Sequence, residues 1–127
     1  MKPSKKDCRM LLSKVERIVV PKVATSTKGQ FTFKFSDHFH ERLEERATWP
    51  DLEKFTMLVN RLVQNHICEM IYWAHLPNRP HRLEVKHGSM LIGLIYSDTF
   101  KRFICTTFHP NNQYAGNQDT FIITPKL

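Results

Sequence analysis

The stretch Phe31-Thr32-Phe33-Lys34-Phe35-Ser36-Asp37-His38-Phe39-His40-Glu41-Arg42-Leu43-Glu44-Glu45-Arg46 changes its period halfway along. Up to Phe35 apolar and polar residues alternate, which predicts a strand. From Ser36 or Asp37, either of which suits an N-cap, the spacing becomes helical. At about 100° per residue, His38, Arg42 and Arg46 share a stripe about 80° wide. Phe39, Leu43 and Ala47 form a second stripe about 100° away, fit to pack on a sheet. A titratable imidazole beside two permanent cations suits a phosphate, since guanidinium groups bind phosphate oxygens in pairs and histidine moves protons near neutral pH. The same helix carries Glu41, Glu44 and Glu45, so Arg42–Glu45 and His40–Glu44 surface pairs are an equally simple use of these charges.

Working outward, Pro50 ends the helix near Trp49 and suits the first turn of a second helix, with Asp51 and Glu53 favourable to its dipole. Leu52, Phe55, Leu58, Val59, Leu62 and Val63 recur at helical spacing to Asn65 and form a core-facing stripe. Beyond it, period two is expected. Strands are predicted at Ile67–Leu76, at Arg82–His87, at Met90–Tyr96 as an apolar central strand covered on both faces, and at Phe100–Phe108. Gly88-Ser89 is a two-residue hairpin signal of type II′. A loop follows from His109 to Gln118, and Phe121–Thr124 adds a short edge strand. Upstream, Lys5 to Val19 reads as a basic helix, and Ile18 to Ser26, interrupted by Pro21, as a bent edge strand.

The expected fold is therefore α+β: two helices packed on one face of a twisted antiparallel sheet, in β-α-α-β-β-β-β order, with an extra basic N-terminal helix. One domain spans residues 1–127, divided into a basic extension (1–30), a core (31–109) and a tail (110–127).

Composition narrows the classes of function. Hydrophobic residues make up 41% and charged residues 24%, ordinary for a globular chain. No apolar run reaches membrane-spanning length and the N-terminus is no signal peptide, so a cytoplasmic protein with no membrane partner is expected. The three cysteines, Cys8, Cys68 and Cys105, are too widely spaced to suggest zinc or a disulfide framework, which fits a reducing compartment. The net charge is +7, and it is uneven: residues 1–35 hold nine Lys/Arg against two acids, while the remainder holds ten of each. A concentrated positive segment, with Lys5, Lys6 and Arg9 on the first helix, favours nucleic acid; it also serves solubility. His38 and His40 look like a metal-ligand pair but point about 200° apart on a helix. No metal or cofactor is expected.

The helix motif and the element order resemble the small RNase superfamily of RelE-like toxins, colicin D-type tRNases and barnase-like nucleases. Nearest are families with a Ser-x-His-Ala-x-x-Arg-Met-x-x-Arg helix, matched here at Ser36, His38, Arg42 and Arg46, with Phe39 in place of the small residue and Leu43 in place of Met. The resemblance covers residues 31–109. It implies cleavage of RNA without a metal, the 2′-hydroxyl attacking the phosphate to leave a 2′,3′-cyclic phosphate and a 5′-hydroxyl. It also implies an acid/base role for His38 and a phosphate clamp at Arg42. Arg46 would clamp phosphate or hold the helix to the sheet.

From the strands, His87 and Lys86 beside Gly88, and Thr106, Thr107 and His109 at the end of the last long strand, are further site candidates. Each has an ordinary structural use as well, and alternation does not say which sheet face is open. RNA is the expected partner, with an antitoxin or host protein possible in kind. The competing class is a non-catalytic phage or mobile-element binding protein on the same scaffold, engaging a host protein or nucleic acid. Binding of DNA by the N-terminal helix is a third class, unsupported by any helix-turn-helix pattern.

Overall fold

A computed structural model describes residues 2–16, 32–111 and 119–127. The order is α1 (Lys5–Glu16), β1 (Thr32–Phe35), α2 (Asp37–Arg46), α3 (Trp49–Asn65), α4 (Ile67–Ala74), β2 (Arg82–His87), β3 (Met90–Ser97), β4 (Arg102–His109) and β5 (Thr120–Ile123). The expected α+β class holds. The bent strand predicted at Ile18–Ser26 lies outside the described residues, as does most of the loop before β5.

Local chemistry sets the helix ends. The Ser36 hydroxyl caps α2 by accepting from the Phe39 amide at 3.1 Å. Ala47 already leaves the helix, and Thr48 starts the next one with a capping box to Asp51, ahead of Pro50 in the first turn. The hairpin between β2 and β3 has a positive φ at Gly88 (58°) but not at Ser89, as a type II′ turn requires.

Two expectations are corrected. Ile67–Leu76 is not a strand: residues 67–74 form α4, which buries Ile67, Met70, Trp73 and Ala74. Those positions are three, three and one apart, a helical spacing hidden in an apolar run too short for period to decide. Trp73 is fully buried and donates its indole N–H to the Pro80 carbonyl at 2.8 Å. Arg79 then ties the end of α4 to the sheet, donating to the carbonyls of Ala74 and Tyr96 and to the Asp98 carboxylate. The sheet, moreover, is mixed rather than antiparallel. Its order is β1-β4-β3-β2-β5, and both edge strands pair in parallel, β1 with β4 and β5 with β2. A parallel pair needs a long crossover, and residue alternation does not encode strand direction.

The helices cover one face of this sheet. One continuous core joins Phe33 and Phe35 of β1, Phe39 and Leu43 of α2, Phe55 and Leu62 of α3, Met70 and Trp73 of α4, and the inward residues of the strands. The N-terminal helix belongs to this core and is not a separate extension, since Cys8, Leu12 and Val15 are buried in it. Phe39 is its hinge piece: fully buried, it lies 5.0 Å from Phe35, 5.7 Å from Phe55 and 5.8 Å from Phe108, centroid to centroid. That contact seats α2 along β4 just where β1 stops, and the Ser36 amide donates to the Cys105 carbonyl at 3.0 Å at the handover. Phe39→Ala is expected to lower the unfolding free energy by about 3–5 kcal/mol in urea titration, whereas Phe100→Ala, at an exposed position, should change it by less than about 0.5 kcal/mol.

Candidate functional site

Register decides which residues share the uncovered face. Across the sheet, Glu84 stands opposite Gly93 and Gly93 opposite Thr107; Lys86 stands opposite Leu91 and Leu91 opposite His109. Leu83, Val85 and His87 take the helix-covered side. A β-bulge makes this arrangement possible. Gly93 pairs with Thr107 but Leu94 pairs with Cys105, leaving Thr106 as the extra residue. Before the bulge the core residues of β4 are Phe103 and Cys105; after it the core residue is Phe108, so His109 is turned to the open face. Thr106 uses its hydroxyl locally, donating to the Gly93 carbonyl at 3.3 Å.

A cleft of about 450 Å³ opens on this face, between α2 and β5, lined by His38, Arg82, Glu84, Thr107, His109 and Thr120, with His81, Leu91 and Asp119 completing it. His38 reaches it from the first turn of α2, His109 from the end of β4 and Glu84 from β2. Glu84 is 1% exposed, the one charged residue that is buried among the described residues. Its Oε2 lies 3.3 Å from Arg82 Nη2. Three buried side-chain atoms have no hydrogen-bond partner among the described residues, Glu84 Oε1, Arg82 Nε and Thr120 Oγ1, and all three belong to residues that line this cleft. Buried polar atoms are normally paired, so three unanswered ones on residues that line one cleft single it out among the described residues. Gly93 leaves the space: a Cβ there would stand 2.5 Å from Arg82 Nη2, so the guanidinium lies flat on the glycine.

His109 receives a second cation from behind. Arg46 Nη1 lies 2.8 Å from His109 Nδ1 and donates to the Phe108 carbonyl at 3.2 Å. Burial, and then Arg46, Arg82 and Arg42, hold the His109 pKa below the ordinary 6.5, with Glu84 opposing them.

The expected site residues thus separate. His38 and His109 both line the cleft. Arg46 does not line it but holds His109, and so combines an anchoring part with a place beside the site. Arg42 turns to the surface, where it pairs with Glu45 at 2.9 Å, the simple use of its charge. His87 lies on the covered side of the sheet, its Nδ1 3.0 Å from the Pro125 carbonyl, and is not part of the cleft. Lys86 shares the open face beside Leu91 without lining the cleft. Lys5 and Arg9 border a different groove with Asp37, His40 and Glu44, and Arg9 lies 3.7 Å from Glu44. On α2, Asp37, His40 and Glu44 lie about 100–160° around the helix from His38, and no residue of the basic helix lines the cleft. Arg82, Glu84 and Thr120 were not among the expected site residues. The signal for the first two was the polar face of β2, where Glu84 sits between two cations in the alternating run from Arg82 to Lys86.

Among the described residues no group of three or more His, Cys, Asp or Glu side chains is placed to hold a metal ion, and no helix is long and apolar enough to cross a membrane.

Gly93→Ala tests how the cleft is held. The added methyl displaces the Arg82 guanidinium and leaves the Glu84 carboxylate buried without its cation. We expect a loss of about 1–3 kcal/mol in urea unfolding, recovered in part when Glu84→Met is added. Comparisons with protein-family models, with curated protein sequences and with solved structures each find no match to this chain, so the chemistry of the cleft carries the functional reading.

Proposed function

We propose that this protein is a metal-independent endoribonuclease of the toxin-like kind, a cytoplasmic member of the small RNase superfamily that its helix motif resembles. One observation carries the reading: His38 from the helix and His109 from the last long strand line the same cleft as a buried carboxylate with an unused oxygen. Cleavage by the RNA's own 2′-hydroxyl needs a proton acceptor, donors for the phosphorane oxygens and a proton source for the leaving group.

In the proposed reaction Glu84 Oε1 accepts the 2′-hydroxyl proton and the 2′-oxygen attacks phosphorus. The bond from phosphorus to the 5′-oxygen breaks, and His38, at the exposed rim, gives that oxygen a proton. The products are a 2′,3′-cyclic phosphate and a 5′-hydroxyl. Arg82 and His109 face the non-bridging oxygens as donors. The Arg42 side chain is 33% exposed and that of Glu45 61%, and their solvent-screened pair is weak enough to exchange for a phosphate of the RNA chain.

A second reading has its own support. The outer face of α1 lines a groove with Lys5, Lys6, Arg9 and the exposed Met10, apart from the cleft. Such a face suits a non-catalytic phage or mobile-element protein that engages a host protein or nucleic acid, and in a toxin it suits an antitoxin.

The deciding experiment incubates total RNA and tRNA with the protein in excess EDTA and examines the product ends. Wild type should cleave and leave cyclic phosphate. His38→Ala and Glu84→Gln should each lose at least about 100-fold in rate, with Arg42→Ala affected less. Folded wild-type protein that leaves every RNA intact would exclude the nuclease and leave the binding protein.

A further inference from the structure

We propose that Arg46 is a positioning residue that fixes His109 as a hydrogen-bond donor: by occupying Nδ1 it keeps the ring proton on Nε2, which offers its N–H to an oxyanion in the cleft. Under the function proposed above that oxyanion is the scissile phosphate, and this part of the inference rests on that reading. The tautomer does not.

An arginine side chain offers no acceptor. Its guanidinium has only donors, and it stays charged throughout the accessible pH range. At 2.8 Å from Arg46 Nη1, His109 Nδ1 can only be the acceptor, so the neutral ring must carry its hydrogen on Nε2. A protonated ring would set an Nδ1–H against a guanidinium N–H, donor to donor, so charging His109 requires this contact to break. The guanidinium is not loose: the same Nη1 also donates to the Phe108 carbonyl, and Arg46 sits in the last turn of α2 between the buried Leu43 and Ala47. The helix-to-sheet anchor and the tautomer lock are therefore one contact.

The other cations near His109 act in the same sense. From α2 the charges of Arg46 and Arg42 act on it, and His38 lines the same cleft; from β2 Arg82 acts with them, and Glu84 opposes them. Lys86 adds a further positive charge across Leu91 on the same sheet face. Burial, Arg46, Arg82 and Arg42 lower the pKa, so the ring stays neutral until the pH falls below the ordinary 6.5. A neutral ring held this way does not serve as a proton acceptor at Nε2. It differs from His38, which has no such clamp on its exposed turn.

Nitrogen-15 NMR of the uniformly labelled protein, without RNA, reads this directly, with His109→Gln used to assign the His109 signals. The wild type should show the Nε2–H tautomer and a titration midpoint below 6.5. Arg46→Met keeps the apolar stem and removes the donor; it should give a mixture of tautomers and a midpoint shifted upward. Inorganic phosphate should shift the wild-type Nε2 resonance saturably. An Nδ1–H tautomer in wild type, a wild-type midpoint at or above 6.5, or the absence of a phosphate-dependent shift would overturn the inference. The first two measurements are made on wild type and do not use Arg46→Met, so they decide the matter even where that variant fails to fold. Because no RNA is present, a protein that cleaves nothing but shows this tautomer would overturn the nuclease and leave the lock standing.

Discussion

The aromatic contact of Phe39 with Phe35, Phe55 and Phe108 is the constraint on which the rest depends. It fixes both the position and the rotation of α2 against the sheet. A helix held by one stripe has its other stripes placed as a consequence of helical geometry. With Phe39 and Leu43 buried, His38 must rise at the mouth of the cleft, Arg46 must lie against the end of β4, and His40 and Glu44 must face α1. The site is not assembled by attraction among its polar groups. It is assembled by the burial of apolar ones beside them, which has the larger free energy.

A second constraint is the polar face of β2 and β5. A buried Glu84 is costly unless its charge is answered, and Arg82 answers one of its oxygens. Gly93 in the central strand makes room for that guanidinium. Together they keep an acceptor and a cation in a cleft that three imidazoles, those of His38, His81 and His109, also line. Proteins retain such costly arrangements at sites where charge must be ready before a ligand arrives, because a preorganised group needs no rearrangement when the reaction starts.

The uneven charge of the chain acquires a place in this picture. The positive excess of the first third lies partly on α1, whose apolar side is built into the core while its basic side faces away from the cleft. Residues 36–127 are neutral overall, yet Arg82 in the cleft and Arg46 behind His109 bring two cations close to the buried Glu84. Net charge summed along the chain therefore said little about local field, since Arg82 and Arg46 are gathered there by the sheet and not by sequence proximity.

The amino-acid sequence by itself determined the α+β class, the caps at Ser36 and around Pro50, the hairpin at Gly88-Ser89, and the two stripes of α2. These depend on contacts within a few residues, where period, capping and turn chemistry act directly. Tertiary structure alone decided the helical state of residues 67–74, because a short apolar run satisfies either period until its neighbours choose which side chains to bury. It decided the parallel edge strands, because alternation is the same in both directions. It also decided the membership of the cleft. His87 and His109 looked equivalent in sequence, but one faces the helices and the other the open surface. The bulge at Thr106 makes that difference by adding one residue to β4, and a one-residue shift in a strand moves every later side chain to the opposite face.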